Sequence, residues 1–407
     1  MPFQSTVPAA DLKSDLASAR ARTDELFRVV RPESLYDRPV PERHRMVFYL
    51  GHLEAFDWNQ LGAGVLSMTA FHPEFDRLFA FGIDPPQGQL PRDGASDWPS
   101  LKEIYAYNQR VRENLDKALD DVPEEMIHVA IEHRLMHAET FAYILHNLSH
   151  DRKIGPTPPA RTAGSVPHRV IEIPAGHATL GRDRQEGFGW DNEFSATTVH
   201  VPAFSISKYK VTNGQYLEFV RAGFTAPHYW SRRDGQWRLR TMFGDIPLPL
   251  DWPVFVTHDE ARSYADWAGK TLPTEAQFHR AAYGTPTGKE RQCPWGDEPP
   301  DRTRGNFDFQ RWDPVPVTGT PAGDSAFEVA QLVGNGWEWT STVFNPFAGF
   351  QPFPFYPGYS APFFGGGHYV LKGGSARTAA RLLRRSFRNW FRPNYRYLHA
   401  GFRCVEN

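Results

Sequence analysis

Across 407 residues, 45 Lys and Arg stand against 47 Asp and Glu, a formal charge of −2, so no global bias toward nucleic acid or an anionic membrane is written into the chain. The only two cysteines, Cys293 and Cys404, exclude a disulfide scaffold, a cysteine-rich zinc site and an iron–sulfur cluster. The opening MPFQSTVPAADLKSDLASAR carries acids and no long apolar core, and no uncharged apolar run reaches about 18 residues, which predicts a cytoplasmic chain without a secretory signal or membrane span.

Helical grammar comes first. Four periodic segments, 9–30, 41–66, 101–120 and 122–149, hold few internal glycines. Ile104, Leu115 and Leu119 share one face, and Val129, Leu135 and Ile144 another. Asp121 before Pro123, Glu124 and Glu125 reads as a helix start, a cap followed by a first-turn proline and early acids. Four helices with one long connection, 67–100, predict a bundle.

Two histidines stand out in EHRLMHAETF, residues 132–141. His133 and His137, at i and i+4, lie about 40° apart around a helix, so both rings point one way. Glu139 sits about 200° from His137 and falls on the far side, as an ion-pair partner or a support for a ligand. A third nitrogen would have to come from another helix. His52 in YLGHLEAFDWNQL is the candidate, because Gly51 admits a close neighbour and Phe48, Leu50, Leu53 and Phe56 imply burial. The spacing alone leaves a metal grip and an ordinary polar helix face both open, since the chain has 16 histidines.

Residues 151–168, DRKIGPTPPARTAGSVPH, have no periodicity and read as a linker. Beyond it, short alternating runs such as HRVIEIPAG and VHVPAFSISKYKVT are separated by turn signals, with one helix-like piece at THDEARSYADWAGK. Glycine- and aromatic-rich loops fill 290–370. This predicts a small-strand α+β domain over 169–407, its irregular backbone held by large rings.

The ordered strings KYKVTNGQYLEFV, KTLPTEAQFHRAAYG, PWGDEPP, GNGWEWT, LKGGSAR and GFRC, behind a bundle with a lone histidine and H-x3-H-x-E, resemble the ergothioneine-biosynthesis sulfoxide synthases (EgtB-like). Those enzymes join a DinB-like bundle to a formylglycine-generating-enzyme-like (C-type-lectin-like) domain. The likeness covers nearly the whole chain. It implies that His52, His133 and His137 ligate a non-haem Fe(II), three imidazoles on one side of the ion leaving positions open for substrate and O2. It also implies the chemistry: a chalcogen donor joined to the imidazole carbon of hercynine, with O2 as oxidant.

Two departures from the family's pattern bear on the donor. The histidine string reads HRLMHAE where typical members carry glutamines, so Leu135, Met136 and Ala138 replace amides that help hold hercynine. In QLPRDGASDWPSLKEIYAY, Arg92 lacks the second arginine that would clamp a dicarboxylated thiol peptide. Both departures resemble the selenoneine synthase (SenA-like) branch, which implies a selenosugar donor, with γ-glutamylcysteine or cysteine as the alternative.

In GNGWEWT, Asn335, Trp337 and Glu338 are expected to face the bundle and hold the trimethylammonium of hercynine, which an aromatic face and a carboxylate suit. Trp339 is read as core, and Gly336 as widening the local pocket. No motif locates a catalytic acid. The arginine-rich tail 377–403 could mimic a single-strand nucleic-acid groove, but Trp390 and Phe391 are read as packing residues, with Arg388 and Arg392 tied to carboxylates. A copper-type formylglycine-generating oxidase would need cysteines after LKGGS, where the chain reads ARTAARLL. A non-catalytic binding module would carry no iron, and a zinc hydrolase would consume no O2.

Overall fold

The computed structural model describes residues 11–82, 90–156, 159 and 164–406, and its contacts divide the chain into two units between Pro156 and Thr157. The first ten residues of the N-terminal stretch, part of the expected connection (83–89) and most of 157–163 in the expected linker lie outside the described residues.

The first unit is helical. Helix α1 (Leu12–Arg28) starts at Asp11, whose carboxylate accepts from the Ser14 amide at 3.3 Å. Helix α2 (Met46–Asp57) runs on through a π-helical stretch, Trp58–Val65. All twelve residues of α2 are buried. An element apolar on every side belongs at the centre of a bundle, and α2 contacts the three helices that follow it in the unit.

The first of these, α3 (Pro73–Phe81), corrects the expected connection. The His72 ring accepts from the Phe75 amide, Pro73 opens the first turn and two acids follow it. These start signals are present in the sequence, and tertiary packing of the buried Phe75 and Phe79 completes the helix. Helix α4 (Leu101–Asp116) opens on a reciprocal cap between Ser100 and Glu103. Helix α5 (Glu124–Asn147) packs on α1 and α2.

Two smaller corrections follow. Asp121 does not cap α5: it closes a 3-10 turn, Leu119–Asp121, and Pro123 is the boundary residue. The residue before a proline is biased away from helical angles, which puts the start after Pro123. Nor are 151–154 linker, because Lys153 bridges Val30 and the Ile154 amide donates to Val29 O at 2.7 Å.

The second unit is α+β. Strand β1 (Val170–Ile173) pairs antiparallel with β4 (Phe204–Ser207), and β4 pairs with the final strand β12 (Val405–Glu406). Between them, β2 (Gly176–Leu180) and β3 (Thr197–Val201) form a hairpin. Strands β5 (Trp230–Arg233), β6 (Gln236–Arg240) and β7 (Asp245–Pro247) make a meander. The largest sheet has the order β10-β9-β8-β11, from β8 (Trp337–Val343), β9 (Tyr369–Lys372), β10 (Asn389–Phe391) and β11 (Ala400–Gly401), with only β11 parallel to its neighbour.

Three helices, not one, accompany these sheets: α6 (Asn213–Arg221), α7 (His258–Trp267) and α8 (Glu275–Tyr283). Each starts on a threonine whose hydroxyl accepts from the amide three residues on, while a Gln or Glu reaches back. That T-x-x-[QE] signature was legible, but α6 and α8 are only nine residues long. Too little periodicity accrues over that length to announce them.

Large rings are not the only device holding the long loops. The buried Lys372 ammonium donates to Arg385 O and Phe387 O at 2.8 and 2.6 Å. Arg403 reaches the carbonyls of Ser207, Lys208 and Ala330. Irregular backbone leaves carbonyls without ladder partners, and buried cations supply the donors.

Candidate metal centre

In the first unit, α2 and α5 bring His52, His133 and His137 together. One nitrogen of each lies within 4.8 Å of the others. The ring centroids are 5.2 Å (52–133), 4.7 Å (52–137) and 4.5 Å (133–137) apart. His52 Nε2 and His137 Nε2 are separated by 3.3 Å.

The surroundings decide which nitrogens are available. His52 Nδ1 lies 2.6 Å from the Phe79 carbonyl. A carbonyl only accepts, so Nδ1 carries the proton and Nε2 presents its lone pair inward. A histidine oriented through its second nitrogen in this way is a common support for a metal ligand. Phe79 gets that close because of Gly51: a Cβ there would stand 2.4 Å from the Phe79 ring. Phe48 stacks on His52 at 4.7 Å and Phe56 on His133 at 3.4 Å, covering one side of each ring.

Burial pushes His52 down to about 4, and burial together with the neighbouring imidazoles puts His133 and His137 well below the usual histidine value. Three neutral imidazoles whose nitrogens converge within the first unit are a fitting donor set for a divalent first-row ion. His137 Nδ1 is buried with no protein partner.

Next to the three histidines lies an ion cluster that sequence reasoning missed. Arg134 is 1% exposed and donates to Glu54 at 2.9 Å, Asp57 at 2.8 Å and Leu53 O at 3.0 Å. Arg112 on α4 also holds Glu54, at 2.6 Å, and pairs with Asp24 of α1. Arg134 follows His133 in the chain, while Glu54 and Asp57 stand two and five residues beyond His52. The cluster therefore ties α2 to α5 beside the imidazoles. Its signal was a run of charges on α2 and α5 positions that the apolar pattern assigns to the interior.

In the second unit, the three residues expected to hold hercynine, Asn335, Trp337 and Glu338, are all buried. Glu338 is fully buried in β8: Lys210 Nζ donates to it at 2.7 Å, and Arg403 donates to both its oxygens at 2.6 and 2.9 Å. Asn335 Oδ1 accepts from Asn306 Nδ2 and the Val315 amide, and its Nδ2 donates to Val315 O and Gln331 Oε1. Neither side chain has a polar atom to spare, because the loop needs them for its own carbonyls and amides. Trp337 is 3% exposed and borders a small hollow with Tyr283, Lys372 and Phe387. Gly336 widens nothing: a Cβ there would lie 2.7 Å from Phe255, whose ring already occupies the space.

Trp339 is core, as its 0% exposure requires, with Nε1 donating to Val256 O. In the tail, Arg388 pairs with Glu275 at 3.1 Å, but no ion pair of Arg392 is found among the described residues. Trp390 stacks on Phe344 at 4.3 Å and Phe391 on Tyr395 at 5.1 Å. Leu135 and Ala138 are buried and Met136 is half-buried. Arg92 is exposed, while its neighbour Asp93 is buried between Arg38, Arg45 and the Trp98 indole.

Comparison with known proteins adds the following. The DinB superfamily matches residues 15–153, and the sulfatase-modifying factor enzyme 1-like domain matches residues 156–407. The hercynine oxygenase of Mycolicibacterium smegmatis is 35% identical, covering 97% of this chain and 98% of that protein. For the hercynine oxygenase of Mycolicibacterium thermoresistibile the figures are 33%, 97% and 94%. The hercynine oxygenase of Mycobacterium tuberculosis is 42% identical over 238 residues, 53% of this chain and 55% of its own length.

Proposed function

The chain belongs to the hercynine oxygenase family, a DinB-superfamily unit followed by a sulfatase-modifying factor enzyme 1-like unit, and from that premise we propose that it joins a sulfur donor to the imidazole carbon of hercynine with O2. The observation that carries this reading is the convergence of His52, His133 and His137 inside the bundle. These three residues would hold Fe(II), which when bound supplies the redox chemistry of O2 and positions open to substrates. The overall change balances as thiol plus hercynine plus O2 giving the sulfoxide-linked product plus water: one C–H and one S–H are lost and a C–S bond forms. One oxygen atom ends on sulfur and the other leaves as water.

The chain's own groups prepare that reaction. The Phe79 carbonyl holds the Nδ1 proton of His52 and so keeps its Nε2 basic and aimed. Phe48 and Phe56 stack on His52 and His133 and hold the ring planes. Arg134, Glu54 and Asp57 hold the two ligand-bearing helices in register.

A selenosugar donor is the second reading, and one observation favours it. Positions 135, 136 and 138 around the histidine pair offer no side-chain amide, and Arg92 is the only arginine between 90 and 107. A neutral sugar relies on hydrogen bonds and stacking rather than arginine clamps. The relatives' names, hercynine oxygenase and ergothioneine biosynthesis protein 1, favour the first reading.

Anaerobic reconstitution with Fe(II), followed by hercynine, O2 and, in parallel, γ-glutamylcysteine, cysteine or a 1-selenosugar, tests both readings, with products identified by mass. A sulfoxide from a thiol supports the first, and turnover confined to the selenosugar replaces it with the second. If no donor drives O2 consumption, the oxygenase reading is lost. In the same assay His137→Ala should lose bound iron and turnover together, and stoichiometric iron in that variant would defeat the ligand assignment.

A further inference from the structure

Asn335, spent on its surroundings, backs a cleft in the second unit. The cleft measures about 840 Å³, and its lining includes Arg302, Asn306, Gln310, Arg311, Val315 and Thr320. This size lies within the range of small-molecule sites. No acidic residue lines it.

The two arginines make no ion pair among the described residues. Acids close to them in sequence are engaged elsewhere: Asp301 pairs with Arg304 at 3.1 Å, Asp308 accepts from the Ala380 amide and Asp313 from the Met242 amide. A lone exposed arginine is ordinary surface. Two of them bordering one acid-free hollow leave a local excess of positive charge that the protein does not neutralise.

A second observation is independent of charge. Asn306 and Thr320 are 4% and 9% exposed, and each keeps a buried side-chain oxygen, Oδ1 and Oγ1, without a hydrogen-bond partner. Buried polar atoms are nearly always satisfied. Two orphans in the lining of one cleft therefore call for hydrogen-bond donors that the chain itself does not provide.

The backbone behind the cleft is unusually constrained. Of seven non-glycine residues with positive φ among those described, five lie in this loop region: Asp308, Phe309, Glu328, Gln331 and Asn335. Such conformations persist only where surrounding contacts over-determine them, and they gather at ligand sites. Here the contacts are Gln331 Nε2 donating to Pro316 O at 3.0 Å and the four bonds of Asn335.

We propose that this cleft binds a small organic anion bearing hydroxyl or ammonium donors, gripped at its carboxylate or phosphate by Arg302 and Arg311. The planar guanidinium fork matches either group. The site lies wholly in the second unit and does not depend on the metal reading.

Calorimetric titration of the full chain with malate and, separately, glycerol 3-phosphate tests it. At least one should bind, and Arg302→Ala with Arg311→Ala should weaken it by about tenfold per arginine, the equivalent of roughly 1.4 kcal/mol each. Thr320→Val should weaken it further without changing any charge. Arg262→Ala, on the exposed face of α7, should leave binding unchanged. Preference for one probe identifies the carboxylate or the phosphate as the natural handle. The proposal is overturned if neither binds, or if the double variant binds as tightly as the Arg262→Ala control.

Discussion

A single absent side chain governs the geometry around His52. Gly51 has no Cβ because the Phe79 ring occupies that place, and Phe79 cannot swing aside, being packed among Phe75, Trp98 and Tyr107. Gly51→Ala should therefore cost about 1–3 kcal/mol as overpacking. Because the Phe79 carbonyl orients His52, it should also weaken iron retention. Thermal denaturation and metal analysis of the purified variant check both parts, and a variant as stable and iron-replete as wild type would refute the account. At the same scale, helical spacing put His133 and His137 on one face and the apolar residues around His52 marked its burial, while the convergence of the three rings is visible only in the fold. For Glu338 the motif string does not reveal that Lys210 and Arg403, distant in sequence, consume the carboxylate.

Between elements, a buried polar link in the bundle is the cluster of Arg134, Glu54 and Asp57. Truncating one partner leaves charge buried without compensation. Arg134→Met should therefore destabilise the first unit by about 3–5 kcal/mol, whereas neutralising all three positions together with apolar residues of similar size should recover most of that loss. Urea denaturation of the two variants distinguishes this from a merely steric effect of the substitution, under which the combined variant would fare worse. The helix starts of the second unit offer a smaller test. Thr274 caps α8 through the Gln277 amide at 3.1 Å, so Thr274→Ala should cost about 1 kcal/mol, seen as a lower midpoint; no shift would remove the cap from the account. The long helices were readable because periodicity accumulates over several turns. Helix α3 and the short α6 and α8 were not, since their identity rests on a cap and a few buried rings such as Phe75, Phe79 and Phe278.

Over the whole molecule, buried ion clusters join segments far apart in sequence and couple stability to pH. Burial pushes the Glu193 and Glu338 carboxyls up, but Arg384 on the first, and Arg403 and Lys210 on the second, outweigh it and hold both below the usual carboxylate range. A depressed carboxyl contributes stability that is present above its unfolded value, roughly 4.3, and is lost as pH falls through the folded value. Denaturation midpoints of the full chain should therefore hold down to about pH 4.5 and decline toward pH 3; a level profile across that interval would show that these pairs contribute nothing. No helix among the described residues is long and apolar enough to cross a membrane. By itself the sequence determined the bundle, the α+β second unit and the shared face of His133 and His137, because periodicity, turn chemistry and side-chain identity are local properties; that His52 meets them is a tertiary fact. Only the tertiary structure decided that Phe79 orients His52, that Arg134 ties α2 to α5, that Glu338 is spent on Lys210 and Arg403, and that Arg302 and Arg311 border one acid-free cleft. Each of these is a meeting of groups whose separation along the chain hides their distance in space.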